Sequence, residues 1–204
     1  MAIPARAIEL PDGARGGATV LELLRTRRSM PRVQPACPPR EVIEQVLEAA
    51  VWAPNHHLTE PWRFIVLTGE ARRELGEAMA RGKLAREGTV DPPKLDALRR
   101  KPLRAPVIVA VGVIPASREP EVEIEEICAG AAAIQNLLLA AHGLGLAAMW
   151  RTGEAAFDPE VKAFLGLPPA AHLLGFVYLG YPAGEPPRRT RRPAAEVTTW
   201  LGWA

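Results

Sequence analysis

The stretch from Cys128 to Thr152, CAGAAAIQNLLLAAHGLGLAAMWRT, constrains the fold more than any other part of the chain. Its first half, Cys128 to His142, puts Ala, Ile and Leu on every side of a helical wheel. A helix on the surface of a globular protein keeps a polar face instead. The run is long enough to raise a membrane span, but Gln135, Asn136 and His142 interrupt it, and Gly143 and Gly145 break it. The expectation is therefore a helix buried at the centre of a soluble domain. Beyond the glycines, Leu146 to Trp150 reads as a short buried strand that ends in polar Arg151, Thr152 and Gly153. A buried helix that reverses into a buried strand carries backbone amides and an arginine to a rigid, sheltered place, where sites are well positioned.

The 204 residues suffice for one domain with a real core, and 48 % apolar with 24 % charged residues argues against global disorder. A net charge of +2 gives no support for nucleic-acid binding or for attraction to a membrane surface. Cys37 and Cys128 stand alone, with no C-x-x-C, which argues against a structural zinc site or a disulfide framework. The first 17 residues contain no apolar core of secretory length, so a cytoplasmic location is expected.

Residues 1–18 read as a loosely structured extension, and 19–204 as a single domain. Thr19 and Glu22 have the spacing of a capping box, and Val20, Leu23 and Leu24 give a short amphipathic helix. Arg25, Arg27, Arg28 and Arg32 crowd its end and the loop after it. They fit a solvated helix C-terminus, where cations suit the dipole, or an anion clamp with Ser29 as an added donor. Pro38 and Pro39 open a second helix with an apolar stripe of Val42, Ile43, Val46, Leu47, Ala50 and Val51, which Ala53-Pro54 stops. The polar loop of Asn55, His56 and His57 leads to Trp62 and a strand over Phe64–Leu67. Adjacent histidines suggest metal, but i,i+1 side chains diverge and no partner spacing accompanies them, so no metal is expected.

Glu70 to Arg81 reads as a charged amphipathic helix. Residues 82–105 are basic and proline-interrupted, a candidate lid or equally a mobile linker. Val107 to Ile114 is the clearest strand, apolar throughout and expected to be buried on both faces. Glu121, Glu123, Glu125 and Glu126 place acids in the first turns of the long helix. Asp158 and Pro159 start a short helix to Leu165, Leu173 to Leu179 is the fourth strand, and 182–204 form a C-terminal arm rich in proline and arginine. Trp200 and Trp203 in that arm suggest docking on a partner subunit.

Four short strands among five to seven helices, without regular βα alternation, indicate α+β architecture. Gly143-Leu144-Gly145 follows a helix, whereas a dinucleotide fingerprint follows a strand and opens a helix. No nucleophile elbow, Walker sequence or H-E-x-x-H is present.

Three motifs occur in a fixed order: Arg27-Arg28-Ser29; Ala53-Pro54-Asn55-His56 leading to Pro61-Trp62-Arg63-Phe64; and Gly143-x-Gly145 leading to Met149-Trp150-Arg151-Thr152-Gly153. With Tyr178 to Pro182 and the basic arm, the chain resembles the nitroreductase family of flavoproteins, most closely its compact bacterial branch. The resemblance covers about residues 19–200. It implies an α+β fold with a small, mostly antiparallel sheet surrounded by helices, a homodimer with sites at the subunit interface, and bound FMN. It also implies roles for particular residues. Arg27, Arg28 and Ser29 would hold flavin phosphate and ribityl, with Arg189 and Arg191 as further phosphate contacts. Trp52 and His56 would reach the FMN of the other subunit, and Trp150, Arg151 and Thr152 would lie against the isoalloxazine. Ala140, Ala141, His142, Gly143, Leu144 and Gly145 match a stretch associated with nicotinamide binding.

Two departures stand out: Glu60 replaces the usual amide residue before Pro-Trp, and Pro31 with Arg32 stands where many members carry a lysine. Arg32 or Arg151 could supply the positive charge that reduced flavin needs. Because hydride chemistry belongs to the flavin, no side-chain triad is required. The implied activity is NADH- or NADPH-dependent reduction of a small electron-poor acceptor, such as a nitroaromatic or quinone, in ping-pong order. A specialised FMN dehydrogenase or oxidase, and a non-enzymatic binding protein, are the alternatives.

Overall fold

Seven consecutive apolar residues with no polar alternation demand cover on both sides of a strand. Val107–Val113 (β2) meets that demand, with every residue buried. The computed structural model describes residues 20–202. The expected extension 1–18, the capping residue Thr19 and Trp203 lie outside them.

On one side β2 pairs antiparallel with Trp62–Leu67 (β1), and on the other with His172–Gly180 (β4). The sheet closes with Ala147–Arg151 (β3), antiparallel to β4, in the order β1-β2-β4-β3. Fully antiparallel pairing among these strands bears out the α+β assignment. The two-residue period sends Val107, Val109 and Val111 to one face with Val177 and Leu179, where Arg40–Val51 (α2) and Pro120–Gly143 (α5) cover them. Ile108, Ala110, Phe176 and Tyr178 face the other way, beneath Ala71–Glu87 (α3) and Pro159–Phe164 (α6).

The burial of α5 is narrower than its composition suggests. Ala129, Ala133, Ile134, Leu137, Leu138 and Ala141 form one buried stripe, while Ile124 and Cys128 are exposed. A single sheet face covers only one side of a helix, so the all-round burial expected from the sequence does not occur within the chain. By length and composition α5 could cross a membrane, but the buried stripe commits it to the sheet. The helix ends in a Schellman motif: Leu146 N–H donates to the Ala141 carbonyl and Gly145 N–H to that of His142. Gly145 takes the left-handed turn at φ +77° that the motif needs.

Residues 82–105 are built structure. Helix α3 runs past the expected end at Arg81 to Glu87, and Pro92–Arg100 (α4) folds back along it. Arg99 Nε donates to both Glu77 carboxylate oxygens at 3.0 Å, and Arg72 Nη1 to the Ala105 carbonyl at 2.6 Å. At Gly76 the Arg99 carbonyl occupies the place where a Cβ would stand. These contacts fix the segment against α3 as a wall.

Candidate functional site

Strand β3 lies at the edge of the sheet, and the segment after Val20–Thr26 (α1) comes to rest beside it. Ser29 bridges Ala148, and Met30 N–H donates to the Ala148 carbonyl at 3.1 Å. The segment then meets the chain leaving β4, where Val33 bridges Pro182 and Gln34 N–H donates to the Tyr181 carbonyl at 2.8 Å. This crossing joins the segment after α1 to the segment after β4. Arg27, Arg28, Ser29 and Arg32 line a cavity of about 650 Å³ together with Arg189 and Arg191 of the arm.

The charge in this cavity is unbalanced. Five arginines face one carboxylate, Glu185, and among the described residues none of the five makes an ion pair. Arg28 Nη1 reaches only the carbonyls of Arg25 and Arg27. Arg27 is the most exposed to this imbalance: burial, then Arg191 and Arg28, push its guanidinium below its ordinary value. Its Nη1 is buried without a protein partner. A buried donor on a cation costs free energy unless an acceptor meets it, and arginine forks match phosphate oxygens. A solvated helix end would leave no buried donor unpartnered, so the Arg27 Nη1 favours the anion clamp of the two readings.

One residue before Arg27, Thr26 Oγ1 lies 2.9 Å from His142 Nε2. Burial and the charges of Arg27 and Arg28 hold this imidazole below its usual value, in its neutral form at neutral pH.

Met149 also lines a second cavity, of about 670 Å³, formed by Trp150, Arg151 and Thr152 with the 82–105 wall. Trp150 Nε1 donates to the Leu174 carbonyl at 3.0 Å, which fixes the indole. Gly175, at φ +132°, allows this approach, since a Cβ there would collide with the Arg151 carbonyl and the Trp150 ring nitrogen. The Arg151 guanidinium sits 5.3 Å from the Tyr178 ring centroid. Burial raises the Tyr178 hydroxyl above its usual value although Arg151 and Arg104 pull it down, so it is a protonated phenol at neutral pH.

Other expected positions lie elsewhere. Trp52 is 77 % exposed at the end of α2, and His56 is exposed in the turn before β1; neither lines either of these two cavities. Ala140 to Gly145 also line neither cavity. Ala140 and Ala141 pack on the core, His142 meets Thr26, and Gly145 N–H is used by the helix cap. The expected divergence of His56 and His57 does not hold: His57 adopts φ +62°, which stacks the two rings at 4.1 Å. Glu125 of α5 lies 3.5 Å from His56 and 4.0 Å from His57, and ligand atoms of the three fall within 4.8 Å of one another.

Sequence reasoning missed the wall residues Lys94, Lys101 and Arg104 and the shared position of Met149. The basic content of 82–105 was the available signal, but only the fold directs it at Trp150 and Tyr178.

A small antiparallel sheet with helices on both faces, and an arginine-lined cavity between the segment after α1 and the segment after β4, define an α+β protein with a cationic cavity. The comparisons make that class specific. The nitroreductase family matches residues 24–181, and the chain belongs to it. YdjA of Escherichia coli strain K12, provisionally named an NAD(P)H nitroreductase, is 31 % identical over 162 residues, covering 79 % of this chain and 87 % of YdjA. A nitroreductase from Bacteroides fragilis with bound FMN is 28 % identical with a TM-score of 0.67, over 89 % of this chain and 98 % of that one. A nitroreductase-like protein from Bacillus cereus shares the fold at a TM-score of 0.78 and 24 % identity, over 91 % and 97 % of the two chains.

Proposed function

We propose that the chain is a cytoplasmic, homodimeric, FMN-dependent oxidoreductase that uses NADH or NADPH to reduce small electron-poor acceptors such as nitroaromatics or quinones. The observation that carries this reading is the buried, partnerless Nη1 of Arg27 within a cluster of five arginines. Family membership and the FMN bound to the Bacteroides fragilis relative favour FMN as the phosphate ligand.

Arg27, Arg28, Arg189 and Arg191 would hold the phosphate, with Ser29 toward the ribityl chain. Met149 lines both cavities, which supports placing the ring toward Trp150, Arg151 and Thr152. When bound, FMN would supply the redox chemistry, as hydride acceptor for the nicotinamide and reductant for the acceptor. The residues of this chain bind and orient. Arg151, held over Tyr178, sets a positive charge beside the ring, while Arg32 stays with the phosphate cluster. Donor and acceptor use the wall-lined cavity in turn.

Pairing of two copies accounts for the exposed Trp52 and His56, which would reach the flavin of the second copy. It also accounts for the uncovered apolar residues Val20, Leu21 and Leu24 of α1 and Ile124 of α5, exposed by 47 to 69 %. Steady-state rates with NADH and p-benzoquinone test the reading. Parallel double-reciprocal plots are expected; intersecting plots, with no flavin reduction by nicotinamide alone, would overturn it.

A further inference from the structure

We propose that the wall-lined cavity selects acceptors that carry a negative charge on an aromatic ring, such as nitroaromatic or quinone carboxylates. The inference rests on the flavin reading above and deepens it by naming the acceptor class.

Six cations and two carboxylates line this cavity, an excess of four positive charges in a chain whose net charge is only +2. Two of the cations are already neutralised. Lys83 pairs with Glu87 and Glu154, and Arg86 pairs with Glu154 and with buried Asp158. Lys94, Lys101 and Arg104 of the wall remain, and among the described residues none of them forms an ion pair. Arg151 faces them from β3, its charge directed at the Tyr178 ring. The four unpaired cations therefore come from two elements, the wall and β3, and look across a floor of Met149, Phe176 and Tyr178. Apolar and aromatic surface with a few convergent charges is the composition of a small-molecule site.

The wall is held in place by groups separate from the charges it presents. Arg99 binds Glu77 and Asp96, and Arg72 binds the Ala105 carbonyl, so Lys101 and Arg104 are free to face the cavity. Lys94, Lys101 and Arg104 are exposed, so salt screens them, and a cleft of one sign raises the local concentration of ligands of the other. An aromatic carboxylate would place its ring on the floor and its charge against the wall.

The test compares 4-nitrobenzoate, 4-nitrobenzamide and 4-nitrobenzylamine as acceptors for the purified holoenzyme. Benzoate binding is measured in parallel by calorimetry, which needs no turnover. The kcat/KM values should fall in the order anion, neutral, cation, and the advantage of the anion should shrink in high salt. In Lys101→Glu/Arg104→Glu the ratio of anion to cation should fall by about tenfold or more, since each exposed charge contributes a few-fold. Benzoate binding should weaken with it. Lys101→Gln/Arg104→Gln should give a smaller change in the same direction. An unchanged order and unchanged benzoate binding in both variants would overturn the proposal. So would a change confined to the preference between NADPH and NADH, because the cations would then read the phosphate of the donor. Protein that takes up no added FMN yet binds benzoate through Lys101 and Arg104 would refute the flavin reading alone and leave the anion site standing.

Discussion

Replacing Arg27 with Met should separate binding from stability in one experiment. The Arg27 guanidinium is half-buried, crowded by Arg28 and Arg191, and one of its nitrogens has no protein partner. Methionine keeps the buried stem of the side chain and removes the uncompensated charge. The flavin-free variant should therefore melt at or above the wild-type temperature. Flavin binding should move the other way. A hydrogen bond to a charged group contributes about 1.5–3 kcal/mol, so its loss should weaken FMN affinity by about 10- to 150-fold. At an FMN concentration of about 100 times the wild-type Kd, ligand linkage stabilises the wild type by about 2.7 kcal/mol. After a 100-fold loss of affinity the same concentration stabilises by only about 0.4 kcal/mol. For a domain of this size the flavin-induced rise in Tm should shrink from about 5–10 °C to about 1–2 °C. Thermal melts with and without FMN, and a fluorescence titration of FMN, give both numbers. A variant that loses stability without flavin yet binds FMN as the wild type does would refute the reasoning, because Arg27 would then be a structural residue.

Two further outcomes follow from the same structure. Leu137 is fully buried between α5 and the sheet, so Leu137→Ala should cost about 2–5 kcal/mol in chemical denaturation; a loss below about 1 kcal/mol would mean that the stripe of α5 is not packed as described. His142 has its pKa lowered by burial and by Arg27 and Arg28, so the folded chain binds fewer protons there than the unfolded one. Its contribution to stability is present above the unfolded value near 6.5 and is lost as pH falls through the folded value. Flavin-free His142→Gln should thus lose less stability than wild type between neutral and mildly acidic pH; equal losses would exclude His142 as the source.

Much of the scaffold was legible because its signals are local. The β-branched run of β2, the acidic first turns of α5 and the Asp158 cap, which accepts from Glu160 N–H at 2.9 Å, all stand where the sequence places them. The glycines after α5 were legible as a break, though their role as a Schellman cap emerges only from the backbone. Long-range features were harder to read. Arg27 and Arg191 are distant in sequence and become neighbours only because the segment at Ser29 lies on β3 and crosses the exit of β4. The wall was ambiguous because α4 has no buried residue of its own. Its position depends on side chains of α3, notably Glu77 and Arg72, and on the missing Cβ of Gly76. The histidine pair misled for a similar reason: the left-handed turn at His57 is not encoded by the residue type.

The visible absorption spectrum of the purified protein, recorded before and after anaerobic addition of NADH or NADPH, tests the central claim most directly. The account predicts a yellow protein whose released cofactor is FMN and whose flavin bands bleach with the nicotinamide. A colourless protein that takes up no added FMN would contradict it, and the arginine cavity would then belong to another phosphate ligand.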